Sequence, residues 1–346
     1  MREPIADITG RARGCLLGLA AGDALGRPAE NLEPAEIARR WGRLTELETG
    51  PDGTAPGTDD TEYSVFAALL LARHGRGLTS EHVAEAYREH VLVIDGPMRG
   101  AGFSELGAAQ ALRRGLRPPA SGLRHHHGWS DGLAMRAAPY GLLAAGDPAE
   151  AARLVAEDGA VSHSGEGVLG GRAVAAGVAA AAAGAAPGGV LAAALDAVPE
   201  DSWTARNLNA AEEAVRTAAP PAGGAPPAGD FQRALHAALV TPHYPWTDLA
   251  PEAVGLAFAA FLAAGGEVEG AVTTAANLGR DADTTAAIAG ALSGASRGAS
   301  GVPERWAAAI GPLRGACLPS VAGRHVVEAA DLLAARHRAE YGRAAR

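Results

Sequence analysis

Two short segments carry more side-chain oxygen than a helix start needs. Gly57-Thr58-Asp59-Asp60-Thr61-Glu62 lies just ahead of an amphipathic stretch from Tyr63. Asn277-Leu278-Gly279-Arg280-Asp281-Ala282-Asp283-Thr284 lies just ahead of an alanine-rich stretch through Ile288 and Leu292. Aspartate and threonine cap orphan N–H groups at such places, and their charge suits the positive end of the helix dipole. For one cluster, capping is the commoner reading. Two clusters of matched composition shift the balance, because one cap uses one oxygen and each segment offers three. If the helix starts converge, Thr58, Asp59, Asp60, Asp281, Asp283 and Thr284 offer the oxygen set that Mg²⁺, Mn²⁺ or Ca²⁺ requires. Four aspartates gathered without a cation could not all stay ionised. A pair of divalent cations, about 3.5–4 Å apart and sharing carboxylates, is the simplest way to hold that charge.

Other motifs carry weaker chemistry. Gly165-Glu166-Gly167-Val168-Leu169-Gly170 fits G-x-G-x-x-G, but no hydrophobic strand precedes it and position 190 is valine where an acid is needed. A helix start offering amides to a substrate is its better use. Gly294-Ala295-Ser296-Arg297-Gly298 spells a nucleophile elbow at the end of an alanine-rich helix, so it reads as a helix stop. Ser162 and His163 are adjacent, and neighbours on one element are expected to point apart. His125, His126 and His127 suit a soft metal, although a polar loop tract is commoner. Trp129 either stacks on a base or plugs its loop onto the core. Arg136 either forks onto a phosphate or is a buried structural arginine. Asp23 reads as a structural hydrogen-bond acceptor and Asp95 as a turn former.

The elements that must position these residues are helices. Alanine, the strongest helix former, supplies about a quarter of the 346 residues. Apolar residues recur at helical spacing in Ala12, Cys15, Leu16, Leu19 and Ala20, and again in Tyr63, Phe66, Ala67, Leu70 and Leu71. Val254, Phe258, Phe261 and Leu262 repeat the pattern, as do Val326, Ala330, Leu333 and Ala334. Alternating β-branched runs are nearly absent, so the expected class is all-α. Irregular stretches fall at 44–57, 116–131 and 217–229, the last a proline–glycine run expected to be a mobile loop. None marks a domain boundary, which predicts a single domain over 1–346 with its core at about 10–340.

Composition excludes several function classes. The formal charge is −9 and all thirty basic residues are arginine, so there is no Schiff-base lysine and no Walker lysine. An acidic balance without a basic block argues against a nucleic-acid coat or a membrane surface as partner. Cys15 and Cys317 make neither a disulfide framework nor a zinc site. With no signal or membrane segment at its start, the chain is expected in the cytoplasm. The arginine and alanine bias points to a GC-rich bacterial genome.

Gly14-Cys15-Leu16-Leu17-Gly18-Leu19-Ala20-Ala21-Gly22-Asp23-Ala24-Leu25-Gly26 with Glu30 opens an ordered set of motifs. Thr58 to Thr61, Ala134-Met135-Arg136 with Pro139, Ser162-His163 and Asn277 to Thr284 follow. Over roughly residues 10–310 this set resembles the ADP-ribosylglycohydrolase family, which includes the dinitrogenase reductase-activating glycohydrolases. The resemblance implies an all-α orthogonal bundle and two divalent cations, Mg²⁺ or Mn²⁺, on Thr58, Asp59, Asp60, Asp281, Asp283 and Thr284. It implies that Glu30 sits beside the metals and positions substrate, with Glu30, Asp60 or Asp283 available as general base. It sets Gly128, Trp129, Ser130 and Asp131 where the family's loop holds the distal ribose and diphosphate, and His163 near a substrate-contacting histidine. The implied activity is metal-dependent hydrolysis of an N- or O-glycosidic bond at the anomeric carbon of ribose. ADP-ribose would leave an ADP-ribosylated protein or small molecule; the alternatives are a smaller N-ribosyl metabolite or an inactive binding homologue. Asp131 stands where many members carry asparagine, and Arg280 replaces a common glycine. Both departures favour a substrate with less phosphate.

Overall fold

A computed structural model describes residues 5, 7–218 and 228–342. Eighteen α-helices, four short 3-10 turns and one π turn make up the regular structure of the described residues, which contain no strand, only two isolated bridges, Ala55 to Ile310 and Ser130 to Leu249. The all-α expectation holds. Of the stretch 217–229, residues 219–227 lie outside the described residues, and both described ends are helical rather than loop.

The site is built on a pair of antiparallel helices, Ile8–Gly26 and Ala282–Arg297. Gly14, Gly18, Gly22 and Gly26 recur every four residues and form a stripe along one face of the first helix. The stripe lies directly on the backbone of the second helix at Gly294, Gly290, Ala286 and Ala282. A methyl group on Gly18 would overlap the Gly290 carbonyl, and one on Gly290 would overlap the Gly18 carbonyl. The close approach brings the end of the first helix, and Glu30 just beyond it, to the start of the second, where Asp281 and Asp283 sit. Gly18→Val is therefore expected to cost about 1–3 kcal/mol or more by forcing the pair apart, read as a lowered denaturant midpoint with unchanged slope.

The other acidic cluster opens the helix Asp59–His74, which packs on Val326–Tyr341 and on Ala138–Leu143. Its apolar face is buried as the spacing predicts, with Tyr63, Phe66, Ala67, Leu70 and Leu71 all in the core. The helix Glu166–Ala182 runs through the middle of the bundle, in contact with Pro148–Ser162, Ala138–Leu143 and Ala282–Arg297. Alanine and glycine let these backbones approach, so few aromatics, Tyr140, Phe258 and Phe261 among them, fill the remaining space. No helix among the described residues is long and apolar enough to cross a membrane.

Candidate active site

Glu30, Thr58, Asp59, Asp60, Ser130, Asp131, Asp281, Asp283 and Thr284 all line one cavity of about 550 Å³. The geometry bears directly on whether the two clusters are helix caps. At the start of Asp59–His74 the backbone N–H groups of Thr58 and Thr61 donate to Asp23, at 2.8 Å and 3.1 Å to Oδ2, and the Thr61 hydroxyl donates to the same oxygen. Asp23 comes from the neighbouring glycine-striped helix, so a residue outside the cluster satisfies these donors. Asp59 and Asp60 are left free of that task. Asp281 occupies the N-cap position of Ala282–Arg297, yet its side chain accepts no capping bond. Thr58 alone behaves as a cap, through a long 3.4 Å bond from Asp60 N–H.

The freed carboxylates are crowded and poorly partnered. Asp60 Oδ2 accepts from the Thr58 and Thr284 hydroxyls at 3.3 Å each, which ties the two clusters together. Asp60 Oδ1 and Asp283 Oδ1 are buried without a hydrogen-bond partner. Burial, then the mutual repulsion of Asp59, Asp60, Asp283 and Asp23, holds the Asp59 and Asp60 carboxyls far above the usual range. Burial and the nearby Asp281 and Glu30 do the same to Asp283, and burial pushes Asp281 up to about 7. Among the described residues no three His, Cys, Asp or Glu side chains are already gathered into a set that could hold a metal ion. The donor chemistry nonetheless fits a hard cation: carboxylates and hydroxyls, with two buried oxygens left without partners.

Glu30 lies exposed at the rim, its Oε1 accepting from Asn31 Nδ2 at 3.1 Å. The loop carrying Asp281 is fixed beside it by paired backbone bonds, Asn31 N–H to Arg280 O at 2.7 Å and Arg280 N–H to Leu32 O at 3.1 Å. Arg280 itself has φ +61°, in the region that favours glycine. Its guanidinium turns away from the cavity to pair with buried Glu252 at 2.6 Å and to donate to the Trp246 carbonyl at 2.9 Å. The arginine thus anchors the 244–246 segment.

Three expected site residues fall elsewhere. Gly128 is buried, and its carbonyl accepts from Ser164 N–H at 2.6 Å. Trp129 lines a small adjoining cleft with Phe103, His127, Tyr244 and Trp246, which shares Ser130 and Asp248 with the cavity. His163 stands behind the cavity wall, with Nε2 3.3 Å from Ser130 Oγ and 3.5 Å from Glu105 Oε1, and burial lowers its pKa to about 4. Ser162 and His163 do meet, at 2.8 Å, contrary to expectation, because His163 leaves the helix in an extended conformation. Ser162 also accepts from Arg136 at 2.9 Å, and neither residue faces the cavity, so no nucleophilic pair results. The helix start at Gly165–Gly167 packs against Gly128 and Trp129 and offers no amide to the cavity.

Sequence reasoning missed Glu105, Asp248, Arg99 and Cys317, which line the same cavity, and Glu62, which shapes it. The Glu62 carboxylate accepts the backbone N–H groups of Ala316, Cys317 and Leu318 at 2.8, 2.8 and 2.6 Å, clamping that loop over the first cluster. Glu105 belongs to a buried network: Arg136 pairs with it at 2.8 Å and with Asp158 at 3.1 Å, and Tyr140 donates to Asp158 at 2.6 Å. Burial alone would raise the Glu105 carboxyl, yet its pKa sits below the ordinary value, because His163 and Arg136 beside it favour the charged form. Arg136→Met would strand both carboxylates, and a loss of about 3–5 kcal/mol in chemical unfolding is expected.

The sequence profile of the ADP-ribosylglycohydrolase family matches residues 4–341. The chain belongs to that family. It is accordingly an enzyme of the glycosidase class. An uncharacterized protein of Archaeoglobus fulgidus is 30% identical over 299 residues, covering 85% of this chain and 89% of its own. The ADP-ribosyl-[dinitrogen reductase] glycohydrolase of Rhodospirillum rubrum is 30% identical over 158 residues, 44% of this chain and 51% of its own. A solved ADP-ribosylglycohydrolase-related protein complex is 25% identical, with a TM-score of 0.64 over 96% of this chain and 98% of that one. The family fold agrees with the all-α reading.

Proposed function

We propose that this ADP-ribosylglycohydrolase-family chain is a divalent-cation-dependent hydrolase that cleaves an N- or O-glycosidic bond at the anomeric carbon of ribose. The observation that carries this reading is the release of four aspartates from capping, with buried oxygens left unpartnered at one end of a cavity. Asp59, Asp60, Asp281 and Asp283, with the hydroxyls of Thr58 and Thr284, would hold two cations, Mg²⁺ or Mn²⁺. Bound there, the cations would supply a grip on vicinal ribose hydroxyls and a water of lowered pKa. The protein's part is to fix the sugar and to receive charge. Glu30, exposed at the rim, is the carboxylate free to take the proton of the attacking water as its oxygen bonds to the anomeric carbon. The bonding pair of the broken bond leaves with the acceptor, and the carboxylates around the ring favour the oxocarbenium-like transition state.

Two substrates fit this chemistry. ADP-ribose on a protein or small-molecule acceptor is the reading that the family name and the Rhodospirillum rubrum relative support. A smaller N-ribosyl metabolite is favoured by a specific observation, the further carboxylates Glu105, Asp131 and Asp248 lining the cavity. An inactive homologue is the weakest reading, since every residue type the chemistry needs is in place. Calorimetric titration of Mg²⁺ and Mn²⁺ into metal-stripped protein, beside a chelator-sensitive assay for released ribosyl product, tests the proposal. Two ions per chain and chelator-sensitive release are expected; absence of metal binding overturns the reading.

A further inference from the structure

His163 lies behind the cavity wall, in a row of hydrogen bonds that ends on a residue of that wall. On one side Arg136 Nη2 donates to Ser162 Oγ at 2.9 Å, and Ser162 Oγ lies 2.8 Å from His163 Nδ1. On the other side His163 Nε2 lies 3.3 Å from Ser130 Oγ. Ser130 Oγ is 2.7 Å from Ser104 Oγ, and Ser104 Oγ is 3.1 Å from the His127 carbonyl. The row joins three elements: Ser104 opens the helix Phe103–Arg113, Ser130 precedes Gly132–Met135, and His163 follows Pro148–Ser162. Arg136, Ser162, His163, Ser130 and Ser104 are each no more than 4% exposed, so their protons are shared out within the row.

The polarity of the two ends fixes every proton between them. A carbonyl only accepts, so Ser104 spends its one hydroxyl proton on His127 O. Ser104 therefore accepts from Ser130, which spends its own proton there. Only lone pairs are left on Ser130, so His163 meets it as a donor and carries its proton on Nε2. A guanidinium only donates, so Ser162 accepts from Arg136 and turns its proton to a bare His163 Nδ1. Both ends demand the same neutral tautomer. Burial lowers the His163 pKa to about 4, which keeps a second proton off the ring at neutral pH. The charged groups around the ring, Glu105 and Asp158, are already paired with Arg136.

The consequence falls on Ser130, which lines the cavity. Its proton is committed to Ser104, so whatever it offers a bound molecule it offers as an acceptor. On a ribosyl substrate the matching donors are the sugar hydroxyls, whereas an ionised phosphate has no proton to give.

We propose that His163 is a positioning residue, a neutral imidazole protonated at Nε2 that holds the Ser130 hydroxyl as the acceptor for a ribose hydroxyl. The ribose partner rests on the hydrolase reading; the order of protons does not. Long-range ¹H–¹⁵N NMR of the Mg²⁺-loaded protein reads the tautomer, with the His163 ring assigned by its loss in His163→Leu. The Nε2–H form is expected, unchanged between about pH 5.5 and pH 8. A proton on Nδ1, or on both nitrogens near pH 6, overturns the proposal. Dissociation constants for ADP-ribose test the link to Ser130. His163→Leu and Ser130→Ala should each weaken binding about five- to tenfold, and the double variant no more than either alone. His163→Gln, whose amide keeps a donor where Nε2 stood, should stay within about threefold of the parent. Losses that multiply in the double variant, or parental affinity in a His163→Leu protein shown folded by circular dichroism, overturn the proposal. A parent protein with the Nε2–H form that binds no ADP-ribose counts against the hydrolase reading and keeps the order of protons. The wrong tautomer with binding intact does the reverse.

Discussion

Asp283→Ala is expected to lower kcat/KM for ribosyl release by on the order of 10³ or more while leaving the metal-free protein at least as stable as the parent. The two halves of that result belong together. Asp283 sits in the first turn of Ala282–Arg297, buried, with Oδ1 unpartnered and its pKa raised by burial and by Asp281 and Glu30. A carboxylate in that position contributes nothing to the metal-free fold that water would not supply more cheaply. Deleting it removes repulsion. A residue kept for structure behaves in the opposite way, its loss lowering stability and leaving the kinetics of the folded fraction intact. Denaturant unfolding of the stripped variant and steady-state kinetics with Mg²⁺ separate the two. A destabilised variant with near-parental turnover would return the second cluster to a capping role.

Composition and periodicity were enough to read the fold class, because alanine-rich helices announce themselves locally and each apolar face lies within a few turns of sequence. The glycine stripe was visible as Gly14, Gly18, Gly22 and Gly26, and the structure adds what it faces. The two acidic clusters were legible for a similar reason, since each is contiguous. What sequence could not supply was the division of labour between elements. Asp23 lies 35 residues ahead of Thr58, and only the packed helices make it the acceptor that frees Asp59 and Asp60. Glu105 looked like any carboxylate in a helix first turn, until Arg136 paired with one of its oxygens and the other was left buried in the cavity lining. Asp248 and Glu62 were hidden in the same way, each defined by partners distant in sequence. Motif order sets His163 near a substrate-contacting position but carries no depth, which only the packed helices supply. One layer of side chains, Ser130 and Glu105, separates it from the cavity.

Removing divalent cations is expected to make the protein less stable as pH rises, and restoring them to reverse that trend. Asp59, Asp60, Asp281 and Asp283 all have folded pKa values above their ordinary carboxylate range, with Asp281 at about 7. A raised value means that the folded state holds protons which the unfolded chain has already released. Stability of the metal-free protein is therefore greatest at and below about pH 4, as far as these groups are concerned. It falls from there through the Asp281 pKa of about 7 and beyond. Cations compete with those protons for the same oxygens, so their stabilisation grows over the same window. At a thousandfold excess over the dissociation constant the gain is about 4 kcal/mol per independent site at neutral pH, and it shrinks toward pH 5. Thermal unfolding of stripped and Mg²⁺-supplemented protein at pH 5, 6.5 and 8 checks this. The two curves should diverge as pH rises, and Asp283→Ala should pull them together. Parallel curves would mean that the crowded carboxylates relieve their charge some other way, with the Thr58 and Thr284 hydroxyls serving only the helix starts.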